Sequence, residues 1–261
     1  MTRYSWCMTW QTLLATAIAA LAGSTGIAAA PKTVVFAACP IYRDTDNGRK
    51  SGCWLGDDPA SGLRFDVSDA SARPWIGRLM LVEGVEAGTA DVCGGRVLSP
   101  VRVSILEERC PERLIPPEGH PSKASLLPED FIKPLYFPPR KKAEPPFAQR
   151  SFEVLFDLGS AFINYQDSDT VTERAAHYAQ DSDARAVHVQ GFADSAGFDL
   201  QGVHYAESAR LGQIRAEKVA KILIGYGVAA QRIDQRAQPL APSATPLRLT
   251  GLRRVVITVV P

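Results

Sequence analysis

The chain is poor in the residues that build metal and nucleophile sites. Only four of its 261 residues are histidine. No two of them (His120, His177, His188, His204) share a metal-ligand spacing, which excludes a site needing several converging imidazoles. No CxxC, GxSxG or HExxH occurs, so no zinc ribbon, serine hydrolase or zincin is read and no cofactor is expected. DTDNG (Asp44–Gly48) has a calcium-loop flavour, but its glycine comes one place early and no glutamate closes the loop; a turn is expected. A charge excess is lacking too. With 29 Lys and Arg against 28 Asp and Glu the net charge is +1, which gives no global pull toward nucleic acid. The N-terminal apolar run, Leu13–Leu21, is too short to span a bilayer comfortably. It follows Arg3 and runs into small residues ending in Ala30, the layout of a cleaved secretory signal over residues 1–30. No cysteine follows that run, so a lipoprotein signal is not expected, and the mature chain is expected to be exported.

What is there fits export. Beyond Cys7, the cysteines are Cys39, Cys53, Cys93 and Cys110, an even set confined to one segment. In an oxidising compartment these are expected to form two disulfides, and three pairings stay open. Residues 31–110 read as a small β-rich domain, a barrel or a sandwich. RLMLVEGV (Arg78–Val85) and PVRVSIL (Pro100–Leu106) are strand-like, the second placing Val101, Val103 and Ile105 on one face. Ten of the nineteen prolines then fall within residues 111–150. Proline fixes φ and removes a backbone donor, so that stretch is expected to be an extended spacer that holds the two domains apart.

From 151 to 261 strands and helices alternate. SFEVLFDLGS is a strand with Phe152, Val154 and Phe156 on one face, and DTVTERAAHYAQ is a helix. RAVHVQ is a second strand, leading into the turn GFADSAG (Gly191–Gly197). A longer helix carries an apolar stripe of Leu211, Ile214, Ala216, Val219, Ile222 and Leu223 and ends at Gly225 and Gly227. RIDQRAQ and LRRVVITVV complete the pattern, an α+β arrangement with one sheet face covered by helices.

The order of landmarks resembles the OmpA-like C-terminal domain, a peptidoglycan-associating module of Gram-negative envelopes. Phe156-Asp157, then Gly191 with Asp194 and Gly197, then Leu211 with Arg215-Ala216, then Arg253-Arg254-Val255 with Ile257 follow that family's pattern. Ala193 replaces its usual Thr, Gly212 its Ser and Leu252 its Asn. The gap from Gly197 to Leu211 is longer than usual, so FDLQGVHYAES (Phe198–Ser208) is expected as an extended loop or extra helical turn. The resemblance implies a βαβαββ domain with a mixed sheet, a periplasmic or outer-membrane-associated location, and peptidoglycan as partner. It marks Asp194, Arg215, Phe156, Asp157, Leu211 and Arg254 as its binding residues.

The chemistry of the two charges agrees with that ligand. A turn-borne carboxylate beside a helix-borne guanidinium reads a zwitterion, its ammonium on Asp194 and its carboxylate on Arg215. The free end of diaminopimelate in a peptidoglycan stem peptide is such a group. If both side chains face the ligand, alanine at either position shifts stability little. A non-enzymatic wall-binding protein is the favoured reading, with an envelope protein as a partner for residues 31–110. The alternative is a wall-targeted enzyme whose catalytic site lies in residues 31–110.

Overall fold

The computed structural model describes residues 32–44, 52–89, 91, 93–117, 119, 139–163, 168–238 and 249–261. The expected signal, most of the DTDNG turn and the middle of the proline-rich stretch lie outside them. Among the described residues no helix is long and apolar enough to cross a membrane.

Seven strands form the N-terminal sheet: β1 (Thr33–Ala38), β2 (Ile41–Arg43), β3 (Cys53–Asp57), β4 (Arg64–Asp66), β5 (Arg78–Glu86), β6 (Arg96–Arg109) and β7 (Arg113–Ile115). Their order is β1-β5-β6-β4-β3-β2-β7. The sheet curls around its core. Phe36 of β1 and Phe65 of β4 are separated by two strands in that order, yet their rings lie 5.5 Å apart. The disulfides pair Cys39 with Cys110 and Cys53 with Cys93, of the three pairings left open. β7 is built from residues assigned to the spacer, so the sheet extends past Cys110.

β6 departs from a simple alternating strand. Val101 and Val103 are buried, but Ile105, on the same face, is 41% exposed because the apolar cluster ends before it. On the other face Arg102 and Ser104 are also buried. Arg102 donates to the Asp157 carboxylate at 2.9 Å, and Ser104 Oγ accepts from the Leu158 N–H at 2.9 Å. The sheet therefore touches the C-terminal part of the chain directly, and Arg253 forms a second buried ion pair across the same contact, with Glu83 of β5. The picture of two domains held apart does not describe this arrangement.

The C-terminal part runs β8 (Arg150–Leu155), α1 (Ser168–Asp181), β9 (Ala186–Gly191), β10 (Phe198–Leu200), β11 (Val203–Tyr205), α2 (Arg210–Gly225), β12 (Ile233–Ala237) and β13 (Arg254–Val260). Its four-stranded sheet has the order β12-β9-β13-β8. β12 pairs parallel to β9, as a strand-helix-strand crossover through α2 requires, and the other pairs are antiparallel. Period-two alternation sorts its residues. Val187, Val189, Val255, Ile257 and Val259 turn toward the helices and are buried with Ala175, Ala176, Val219 and Leu223. Each such aliphatic side chain contributes about 1.5–3 kcal/mol. His188 faces the other way and lies 3.3 Å from Asp234.

Residues 139–150 lie along α1. Asp181 receives two bonds from Arg140, at 2.6 and 2.8 Å, and one from the Ala143 N–H at 2.8 Å. Tyr178 Oη donates to the Ala148 carbonyl at 2.6 Å, and the Arg150 guanidinium covers its ring at 4.3 Å. This end of the proline-rich stretch is a strap on the core.

Candidate functional site

The site is built where β9 ends. Gly191 lets the first turn of α2 come close: a Cβ there would collide with the Gly212 carbonyl oxygen, and one on Gly212 would meet Gly191 O at 3.0 Å. Two facing glycines thus set the distance between α2 and the sheet. The chain then turns through Asp194 to Gly197, whose φ of +72° favours glycine and where a Cβ would run into the Tyr205 carbonyl oxygen.

Phe198–Ser208, expected as a loop or helical turn, instead opens with a β-hairpin. β10 and β11 pair antiparallel around Gln201 and Gly202, which have φ of 53° and 80°. Two consecutive positive φ values are those of a type I′ turn, the tightest hairpin connection. Phe198 and Tyr205 stack at 5.6 Å across the ribbon. The hairpin delivers Glu207, a residue that the sequence analysis passed over.

Glu207 is the centre of the site. Its carboxylate is fully buried and takes both guanidinium branches of Arg215, at 2.6 and 2.8 Å. It also accepts from the backbone N–H of Gly159 at 2.8 Å and of Asp194 at 2.9 Å. Burial pushes the Glu207 carboxyl up. The Arg215 guanidinium and these two N–H groups outweigh that, so it sits below the ordinary value.

Arg215 is saturated. Its remaining donors go to the carbonyls of Ser160 at 2.9 Å, Phe192 at 3.0 Å and Asp157 at 3.2 Å. All five guanidinium N–H groups are then used. The guanidinium also lies 5.0 Å from the centroid of the buried Phe156 ring. The expectation that Arg215 faces a ligand is therefore corrected. It is wholly buried, and the inward stripe of α2 is Gly212, Arg215, Ala216, Val219, Ala220 and Leu223, with Ile214 left 41% exposed. The stripe read from the sequence was rotated because the arginine was excluded from it.

Asp194 is 1% exposed. One carboxylate oxygen accepts from the Gly197 N–H at 3.1 Å, and the other, Oδ2, is buried and has no hydrogen-bond partner among the described residues. Asp194 and Arg215 are thus gathered at one place, but they meet through Glu207 rather than with each other. Phe156 and the Asp157 backbone belong to the same cage, while the Asp157 carboxylate is taken by Arg102. Leu211 is half-buried in the first turn of α2. Arg254 stands apart, buried with its guanidinium 4.8 Å from the Phe192 ring centroid and 3.4 Å from Glu153, and burial pushes its pKa down. A cleft of about 320 Å³ lies against the turn, lined by Ala193, Ser195, Ala196 and Gly212 among others. Another, of about 390 Å³, opens over Asp157 and Ser160, the residues whose carbonyls hold Arg215.

No family model matches the chain. It is 36% identical over 113 residues to the probable lipoprotein YiaD of Escherichia coli K12, covering 41% of this chain and 48% of that protein. The chain therefore spans about half the length of that curated relative. Among solved structures it is similar to the peptidoglycan-associated lipoprotein of Burkholderia pseudomallei, at 23% identity and a TM-score of 0.33, over 41% of this chain and 89% of that one. It is also similar to the OmpA-like domain of FopA1 from Francisella tularensis, at 16% identity and a TM-score of 0.35, over 43% and 73%. For the periplasmic domain of Helicobacter pylori MotB (residues 90–256) the values are 28% and 0.33, over 42% and 72%.

Proposed function

We propose that the chain is a non-enzymatic cell-envelope protein of the periplasm that binds peptidoglycan through residues 151–261. The observation that carries this is the cage at the end of β9. A buried guanidinium and two backbone N–H groups converge on one carboxylate, and beside them Asp194 keeps a carboxylate oxygen without a partner. Such a cage has the chemistry to seat the carboxylate of a zwitterion and to receive its ammonium. The likeness to the probable lipoprotein YiaD supports a place in the cell envelope. The four ordered motifs, through their resemblance to the peptidoglycan-associating module, support a wall ligand, the free end of diaminopimelate in the stem peptide. Binding of one such group is weak, and a polymeric wall raises it by avidity. Residues 31–110 are proposed to meet an envelope partner, for which the exposed Trp75 is the apolar candidate, with Leu114 of the adjoining β7, in the same sheet domain, as a second.

The test is co-sedimentation of the full chain with sacculi whose stem peptides carry diaminopimelate, against sacculi carrying lysine at the same position. Pelleting with the first alone, reversed by free diaminopimelate, is the expected result. Equal pelleting with both would sink the zwitterion reading, and no pelleting with either would sink the wall reading.

A further inference from the structure

We infer that Glu207 is a built-in competitor of the ligand: it holds the carboxylate seat closed, and the wall ligand binds by displacing it. This rests on the reading of the site as a zwitterion receptor.

The seat has the composition of a receptor for a free carboxylate. Arg215 presents both branches in the two-pronged geometry that suits a planar anion. The Gly159 and Asp194 N–H groups complete four donors on two oxygens. These donors come from three separate segments, the loop after β8, the turn after β9 and α2; residues of the first line one of the two clefts and residues of the other two line the second. Glu207 comes from a fourth. It is appended to a three-residue ribbon, β10–β11, which pairs only with itself. An isolated two-stranded ribbon is marginally stable. Beyond it the Glu207 backbone is tied by its N–H to the Asp194 carbonyl at 2.9 Å, so it is the Glu207 side chain that swings out while the seat stays on the sheet and α2.

Asp194 gives the second, independent indication. An ion pair that served only to tie the hairpin down would have no use for a further carboxylate beside it. Yet Asp194 Oδ2 is buried and unpartnered next to the occupied seat. A ligand with an ammonium one short bond-path from its carboxylate satisfies both groups at once. Glu207 satisfies only one. The ligand has the advantage of the ammonium contact, and Glu207 has the advantage of being tethered. The apparent affinity is then the intrinsic one divided by the fraction of molecules in which Glu207 has left.

The experiment uses the full chain and three proteins: wild type, Glu207→Ala and Glu207→Gln. Melting temperature is followed against acetate, glycine and free diaminopimelate, and sacculus co-sedimentation is run beside it. In Glu207→Ala the emptied seat should be refilled, so acetate raises the melting temperature saturably and the zwitterions do so at lower concentration. Wild type should respond to each only at higher concentration, on the order of tenfold if the seat is closed nine-tenths of the time. Sacculus affinity of Glu207→Gln should rise, on the order of tenfold if the seat is closed nine-tenths of the time. If Glu207→Ala folds only with a carboxylate present, refolding yield against acetate is the readout, and a saturable rise again supports the inference. No response of either variant to any carboxylate overturns it. Equal sacculus binding by wild type and Glu207→Gln also overturns it, while leaving wall binding intact. Carboxylate rescue with no sacculus binding by any of the three keeps the seat and removes peptidoglycan as its ligand.

Discussion

Replacing Arg215 by methionine tests the site's architecture. Methionine keeps most of the aliphatic length over Phe156 and removes the guanidinium. Glu207 then remains as a carboxylate with no exposed surface and only the two N–H groups of Gly159 and Asp194. Removing one partner of a buried pair costs about 3–5 kcal/mol, because the other charge is left without its counterion. Three carbonyls, of Asp157, Ser160 and Phe192, also lose their Arg215 donor. The upper part of that range is therefore expected, a fall in melting temperature of roughly 10 °C for a chain of this size. Urea unfolding followed by circular dichroism measures it, with the midpoint moving and the slope constant. Adding Glu207→Leu to the same chain should recover only part of the loss, since the apolar pair removes the unpaired charge but leaves those three carbonyls and the N–H groups of Gly159 and Asp194 without their partners. The expectation from sequence alone, that position 215 can be changed with little effect on stability, is the competing outcome. A loss below about 1 kcal/mol, the worth of an exposed pair, would show that the cage is open in solution and would refute the burial argument.

Acid should weaken the same cage. The Glu207 carboxyl is held below its ordinary value in the folded chain, so its contribution is complete above the unfolded pKa of about 4.3 and is lost as pH falls through the folded value; urea midpoints across that range check this. Asp181 is lowered to about 2, first by its hydrogen bonds from Arg140. The strap over α1 should therefore stay docked until the pH falls from about 4 toward 2, and Asp181→Asn should bring cleavage near residue 141 at neutral pH in limited proteolysis. Gly191→Ala should cost about 1–3 kcal/mol or more, because the new methyl meets backbone of α2 rather than a side chain that can move; thermal unfolding reads it. Opening Cys39–Cys110 or Cys53–Cys93, which span 71 and 40 residues, should cost about 4 kcal/mol each on a chain-entropy estimate, measured on the paired serine variants.

Much of the C-terminal architecture was legible because it depends on short-range periodicity. Val187 and Val189, or Val255, Ile257 and Val259, alternate as a half-covered strand must, and the structure buries them. What was not legible depends on pairing between distant residues. The disulfide partners depend on which strands meet in a seven-stranded sheet, and no spacing rule contains that. Burial of Arg102 and Ser104 depends on a second surface arriving from beyond the proline-rich stretch. Gln201-Gly202 lacks the Asn-Gly signature by which a type I′ turn is usually recognised, so the sequence points to an extended loop or extra helical turn rather than to the hairpin. Glu207 then had no place in the reading, although an acidic residue just before a helix with an arginine in its buried stripe was the available signal.

The adjacent arginines Arg253 and Arg254 show how closely the two halves of the molecule are joined at the site. Arg253 lies just before β13, at the end of a short 3-10 turn (Thr250–Leu252), and Arg254 is the first residue of the strand. Arg253 reaches across to Glu83 in the N-terminal sheet. Arg254 stays within, over Phe192, the residue whose carbonyl holds Arg215. From the other side Arg102 and Ser104 fasten Asp157 and Leu158. That is the same segment whose carbonyls at Asp157 and Ser160, and whose N–H at Gly159, complete the cage. Two of the three segments framing the seat are thus braced, one directly by the N-terminal sheet and one through Phe192 and Arg254. The hairpin β10–β11 shares neither brace, and Glu207 is joined to the turn after β9 by its own backbone, whose N–H donates to the Asp194 carbonyl at 2.9 Å.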